Sequence, residues 1–160
     1  MKSKSFQPFI NVPGGVPGET MEIALGSESA PREALIESGW VISDPNAKAG
    51  TPLKFKQYLA QSKGEFSIAK HGYVISQSGW FSERSLNYMA SGKPVLVQDT
   101  GLKGIVPSGK GLLVFTTPEE AIEAIKKVNS EYPLHCFESR RIVEDEFEAG
   151  VVLTKLLGQL

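Results

Sequence analysis

Two short runs constrain this chain more than any other feature: "PVLVQ" at Pro94–Gln98 and "GLLVF" at Gly111–Phe115. Neither alternates apolar with polar residues. A strand with one wet face must alternate, so a run that does not has to be covered on both faces, as a parallel strand between two helical layers is. The neighbouring segments supply such layers. In "TPEEAIEAIKKV", Thr117 and Glu120 form a capping-box pattern, and Pro118 takes the first helical position. Ala121, Ile122, Ile125 and Val128 then follow at the spacing of one buried face. Ser82 to Ser91 is a second helical pattern, with Leu86, Met89 and Ala90 on one side.

Strands and helices alternate through the rest of the chain. Met21–Leu25 is a strand candidate. "SAPREALIESG" reads as a helix with Ser29 as N-cap and Gly39 as its end, and "WVIS" at Trp40–Ser43 is a strand closed by Asp44-Pro45. Phe55, Tyr58 and Leu59 have helical spacing. "EFSIAKHGYVISQSG", Glu65 to Gly79, suggests one or two short strands around a turn at Lys70–Gly72. Pro133 opens a helix through Phe147, Gly150 breaks it, and Val151–Leu160 is a final amphipathic helix. Residues 1–20, rich in Pro and Gly, read as an arm or loop, and 21–160 as a single domain. The expected architecture is α/β, a three-layer Rossmann-like domain with a mainly parallel sheet.

Composition excludes several functions. Of 160 residues, 41% are hydrophobic and 22% charged, and the net charge is −1. That balance advertises neither a nucleic-acid face nor a polybasic membrane patch. No apolar run is long enough to span a bilayer, and "MKSKSFQPFI" lacks the apolar segment of a signal peptide. The single cysteine, Cys136, allows no internal disulfide and fits a cytoplasmic location. With only His71, His135 and Cys136 as soft ligands, no structural zinc site is expected. His71 reads as an exposed imidazole in a turn; His135 and Cys136 read as packing residues of a helix.

Two glycine-rich segments are false leads. "GIVPSGKG" at Gly104–Gly111 has the gap and Gly-Lys of a phosphate-binding P-loop. However, Gly111 stands where Ser or Thr should hold magnesium, and a strand follows instead of a helix. "GGVPG" at Gly14–Gly18 has no strand-to-helix unit around it. The segment "SGWFSERSLNYMASGKPVLVQDTG", Ser78 to Gly101, has better grounds. Ser78-Gly79 lets backbone approach a ligand, and Ser82 begins a helix whose free N–H groups and dipole favour an anion. Arg84 could neutralise that anion. Ser82 serves equally as a plain cap, and Arg84 as a solvated charge. Asp99-Thr100-Gly101 ends an apolar strand at the edge where open parallel sheets bind ligands, or is simply a strand-ending turn. Glu65 could accept hydrogen bonds from hydroxyls and Lys70 could meet a phosphate, or the two form an exposed pair of little energetic worth.

Taken in order, "APREALIESGWVISDP", "YLAQSKGEFSIAKHGYVISQSGWFSERSLNYMASGKPVLVQDTG", "GKGLLVF" and "TPEEAIEAIKKV" resemble bacterial glycosyltransferases of the GT-B fold, from about Ala30 onward. The resemblance covers the C-terminal, nucleotide-sugar-binding half of such enzymes. It implies a donor site in which Ser82 meets the phosphates, Gly79 and Trp80 shape the loop, and Ser85, Asp99, Thr100 and Gly101 lie close by. It implies a nucleotide-diphosphate sugar as donor substrate and no further cofactor. Many retaining members carry two glutamates with seven residues between them; the corresponding positions here are Gly79 and Asn87. The acceptor half of a GT-B enzyme has no room before Met21. Either another polypeptide supplies that half, or the chain is a fragment of a longer enzyme, or the domain has a different use; the partners expected are a separate N-terminal half or a homo-oligomer. The alternative is a non-catalytic assembly module that self-associates through the exposed donor-side face.

Overall fold

A computed structural model describes residues 2–158. The element order is α1 (Lys2–Phe6), β1 (Glu22–Ala24), α2 (Arg32–Glu37), β2 (Val41–Ser43), α3 (Pro45–Ala49), α4 (Pro52–Gln61), β3 (Glu65–Ser67), α5 (His71–Ser76), α6 (Glu83–Ala90), β4 (Val95–Gln98), β5 (Leu112–Phe115), α7 (Pro118–Ser130), α8 (Tyr132–Ile142) and α9 (Ala149–Leu157). The fold is α/β and its strands pair in parallel. They form two sheets instead of the single one expected: β1-β2, and β3-β4-β5.

The unalternating runs lie where their apolarity requires. All four residues of β4 are buried. On one face Leu96, with Leu113 and Phe115 of β5, joins a core that includes Phe9, Val12, Leu35, Trp40, Ala121 and Val128. On the other, Val95 and Val97, with Leu112, meet Leu59, Tyr88, Met89 and Ile142. The middle sheet thus separates α7 and the N-terminal elements from α4, α6 and α8, which makes three layers. Thr117 Oγ1 caps α7 by accepting from Glu120 N–H at 3.2 Å, and Glu120 returns a carboxylate to Thr116 N–H at 2.6 Å, one residue before the expected partner.

Four local expectations are corrected. The expected arm is packed over residues 5–16: two 3₁₀ turns, Gln7–Phe9 and Val12–Gly15, and the residue after them bury Phe9, Val12 and Val16. Prolines fix these turns while the interspersed large residues supply the burial. Ser29 does not cap α2; Pro31 holds that position without a side-chain hydrogen bond. "HGYVIS" is the helix α5, because the short ladder of β3 with β4 ends at Ser67 and leaves Tyr73, Val74 and Ile75 no strand to pair with. Before α9 the chain turns extended at Glu148, whose carboxylate accepts from Gly150 and Val151 N–H, so Gly150 lies inside the helix. The last two residues of the expected terminal helix lie outside the described residues.

The start of β5 is held from α8. His135, fully buried, accepts the Gly111 N–H at Nδ1 (3.1 Å), and the Ser139 hydroxyl donates to the Gly111 carbonyl (2.9 Å). Gly111 has φ +71°, and a Cβ there would collide with the Ser139 backbone, so the P-loop-like glycine is required by packing. Burial holds the His135 imidazole below its ordinary 6.5, helped by Lys127 and Lys110 and opposed by Glu131 and Glu138. An acceptor at Nδ1 also requires the neutral ring. As pH falls through 6.5 the unfolded chain takes up a proton that folded His135 refuses, so this contribution is complete above 6.5 and is lost below it. Urea unfolding at pH values on both sides of 6.5 should therefore show stability falling toward acid. His135→Gln should flatten that slope while costing about 1–2 kcal/mol at neutral pH.

Candidate functional site

The carboxyl ends of β3 and β4 carry two loops, and backbone geometry ties them together. The first follows α5. Gln77 is left-handed at φ +48° without being glycine, and Gly79 follows at φ +70°. The second is Asp99 to Gly101, directly after β4. The Gly79 N–H donates to the Thr100 carbonyl at 2.6 Å, and the Thr100 hydroxyl donates to the Trp80 carbonyl at 2.7 Å. Gly101 sits at φ +91°, where a Cβ would lie 2.7 Å from the Gln77 carbonyl oxygen. Only glycine lets the loops approach this closely. Asp99 Oδ1 accepts from the Gly101 and Leu102 N–H groups at 2.9 and 3.1 Å, so this carboxylate shapes its own turn. Lys103 Nζ lies 3.8 Å from its other oxygen.

Ser82 is the N-cap of α6, its hydroxyl accepting the Arg84 N–H at 3.3 Å. Ser85, one turn in, is buried, and its hydroxyl has no partner among the described residues. Both serines line a small pocket of about 10 Å³ with polar Ser67 and Gln98 and apolar Ala69, Phe81 and Val97. That is roughly the space of one water molecule. On the outer side Trp80 stacks on Tyr73, centroids 5.0 Å apart and planes 15° from parallel, and the Lys70 ammonium lies 5.9 Å from the Tyr73 ring. Lys70, Gly79, Trp80, Ser82, Ser85, Asp99, Thr100 and Gly101 therefore share one end of the sheet.

Glu65 and Arg84 do not join them. Arg84 reaches along β3, with Nε 2.5 Å from Glu65 Oε1 and a terminal nitrogen 3.2 Å from the Ser67 hydroxyl. Its charge is spent on a buried carboxylate. The pair lies in a second feature, a cleft of about 1160 Å³ between β1 and β3 whose polar lining includes Glu22, Lys48, Tyr58 and Tyr88. Burial pushes the Tyr58 phenol up to about 12, reinforced by Tyr88 and Glu22 and opposed by Arg84; burial likewise raises Tyr88.

Sequence reasoning missed Tyr73, Gln98 and the cleft. The two-strand reading of Glu65–Gly79 places Tyr73 in a strand, whereas its helical setting is what turns it toward Trp80. Gln98 ends an apolar run, and its Oε1 accepts the Ala69 N–H at 3.2 Å inside the fold. A polar residue closing a doubly buried strand was the available signal. Among the described residues no three His, Cys, Asp or Glu side chains gather as a metal site, and no helix is long and apolar enough to cross a membrane.

No protein-family model, curated protein or solved structure matches the chain.

The hydroxyl of Thr100 is the side-chain link between the two loops. Thr100→Val, which keeps the shape, should cost about 1 kcal/mol of unfolding free energy. Because the lost bond ends on the Trp80 carbonyl, its fluorescence should change while that of buried Trp40 stays the same.

Proposed function

We propose that this chain is a donor-binding domain for a nucleotide-diphosphate sugar, of the kind found in the C-terminal half of GT-B glycosyltransferases. The supporting observation is the juncture of the two loops. Gly79 bonded to Thr100 sets the start of α6 beside the Asp99–Gly101 turn, at the sheet edge where parallel α/β folds take their ligands. In this reading the diphosphate lies over the amides at the start of α6, with Ser82 as cap. Lys70 supplies the positive charge, since Arg84 is committed to Glu65. The exposed side of the Trp80–Tyr73 stack is a platform for the base or sugar ring. In a complete transferase the donor leaves as a nucleoside diphosphate, so fixed dipoles at its phosphates stabilise the charge that grows in the transition state. An acceptor-binding half belongs to another polypeptide or to a second part of the protein.

A second reading, an assembly module without transfer activity, is favoured by one observation. Ile75 and Ile105 are 70% and 69% exposed, and Ile105 Cδ1 lies 3.6 Å from where a Gly79 Cβ would sit. Ile105 thus borders the proposed donor face, and Ile75 lies on α5, which leads into the Gly79 loop.

Calorimetric titration with UDP, GDP, ADP and TDP separates the two. Donor binding predicts saturable uptake of one of them, weakened roughly fivefold by Lys70→Ala and less by Arg84→Ala. No heat with any of the four at millimolar concentration would sink the donor reading. Sedimentation that reports dimers, lost in an Ile75→Ser/Ile105→Ser variant, would then favour assembly.

A further inference from the structure

The two sheets present free edges to the same cleft. In a parallel ladder each strand bonds to one neighbour through alternate residues and offers the intervening ones to the other side. On β1 the bonds to β2 involve Met21 and Leu25, as acceptor and donor, which places Ile23 on that side and turns Glu22 and Ala24 the other way. On β3 the Glu65 N–H bonds to the Pro94 carbonyl, and beyond the ladder's end at Ser67 the Ala69 N–H still points to the β4 side, where the Gln98 side chain accepts it, so Phe66 and Ile68 are the residues turned away from β4. Glu22, Ala24, Phe66 and Ile68 all line the cleft. Ile68 is only 4% exposed, Glu22 and Phe66 are half-buried, and Ala24 is exposed. Backbone N–H and C=O groups at the depth of Ile68 are nearly always paired in folded proteins.

The ends of the two strands are aligned as well. Glu19, just before β1, and Lys63, just before β3, form an ion pair of 2.8 Å that bridges the gap at its amino-terminal end. Both strands thus begin at the same side. A strand lying between them would give the order β2-β1-strand-β3-β4-β5, with the chain stepping outward from the slot in both directions. That is the doubly wound arrangement, and its central position is the one these residues leave open.

We propose that the cleft is a docking slot for one extended, apolar peptide segment of a partner polypeptide, which pairs with β1 and β3 and joins the two sheets into one. The lining dictates the chemistry of the guest. Ile23, Trp40, Phe66 and Leu96 line it with apolar groups, and its charged groups are paired among themselves, Glu22 with Lys48 and Glu65 with Arg84, so the guest's side chains are aliphatic and uncharged over the buried stretch. A second copy of this chain is not the guest. Its extended runs at β1 to β5 are all engaged in its own sheets, and donating one would unfold the donor. The proposal does not depend on nucleotide binding, which concerns the loops beyond the carboxyl ends.

The test is amide hydrogen exchange read residue by residue by NMR, without and with the soluble peptide acetyl-Lys-Val-Ile-Val-Ile-Val-Lys-amide. In the free protein, the Ala24, Phe66 and Ile68 amides should exchange faster than those of Ile23 and Ser67, their neighbours in the ladders. Peptide at millimolar concentration should slow the first set roughly tenfold or more. The same peptide with alternate N-methylated amides, which cannot complete a ladder, should protect none of them. The proposal would be overturned by cleft-facing amides already as slow as Ser67 in the free protein, by no protection by the peptide, or by equal protection by the N-methylated form. Concentration-dependent protection without any peptide would assign the slot to a second copy and overturn it too. Nucleotide titrations run on the same sample keep failure of the slot distinct from failure of the donor reading.

Discussion

Burial of β4 on both faces is the constraint from which the rest of the structure follows. Val95 and Val97 require one apolar layer and Leu96 another, so helices must cover the sheet twice. The same strand pairs with β3 on one side and β5 on the other, which sets the register of the central sheet. Gly64, Gly101 and Gly111 sit where backbone or packed side chains crowd these strands and the turns around them; at Gly64 a Cβ would come within 2.6 Å of the Pro94 carbonyl oxygen. The tightness of the centre explains the many positions at which only glycine fits.

What β4 delivers at its carboxyl end determines the candidate site. Asp99 folds back on its own turn and Thr100 is buried so that its hydroxyl can hold Trp80. Neither side chain is then free for a ligand; their contribution is to fix the backbone of the facing loop. The groups left to meet a ligand are the amides at the start of α6, the Lys70 ammonium and the exposed side of the aromatic stack. This division of labour, with buried polar side chains positioning backbone donors, is how rigid anion sites are made.

Much of this was legible because the relevant signals are local. The unalternating "PVLVQ" and "GLLVF" identified doubly buried strands, Ser82 and Thr117 marked helix starts, and Gly39 marked a helix end. The errors share a cause in tertiary context. "YVIS" has β-branched and aromatic residues yet no strand to pair with, so it is helical. The Pro- and Gly-rich beginning has no periodicity, yet it buries Phe9 and Val12 because the core beside β5 needs covering. Arg84 could be placed on α6 from sequence, but not the carboxylate it would choose, since Glu65 is nineteen residues away. A single sheet was the natural expectation from alternating strands and helices. Nothing local could announce that β1 and β3 face one another across a cleft.

The proposed function requires the stitched loops to form a prearranged diphosphate site. The most direct measurement is a backbone amide chemical-shift map recorded while a nucleoside diphosphate is titrated into the protein. With such a site, the largest shifts fall on Gly79, Glu83, Ser85 and Gly101, with little change in β5 or α7. Shifts centred instead on Ala24, Phe66 and Tyr58, or spread evenly over the molecule, would contradict it.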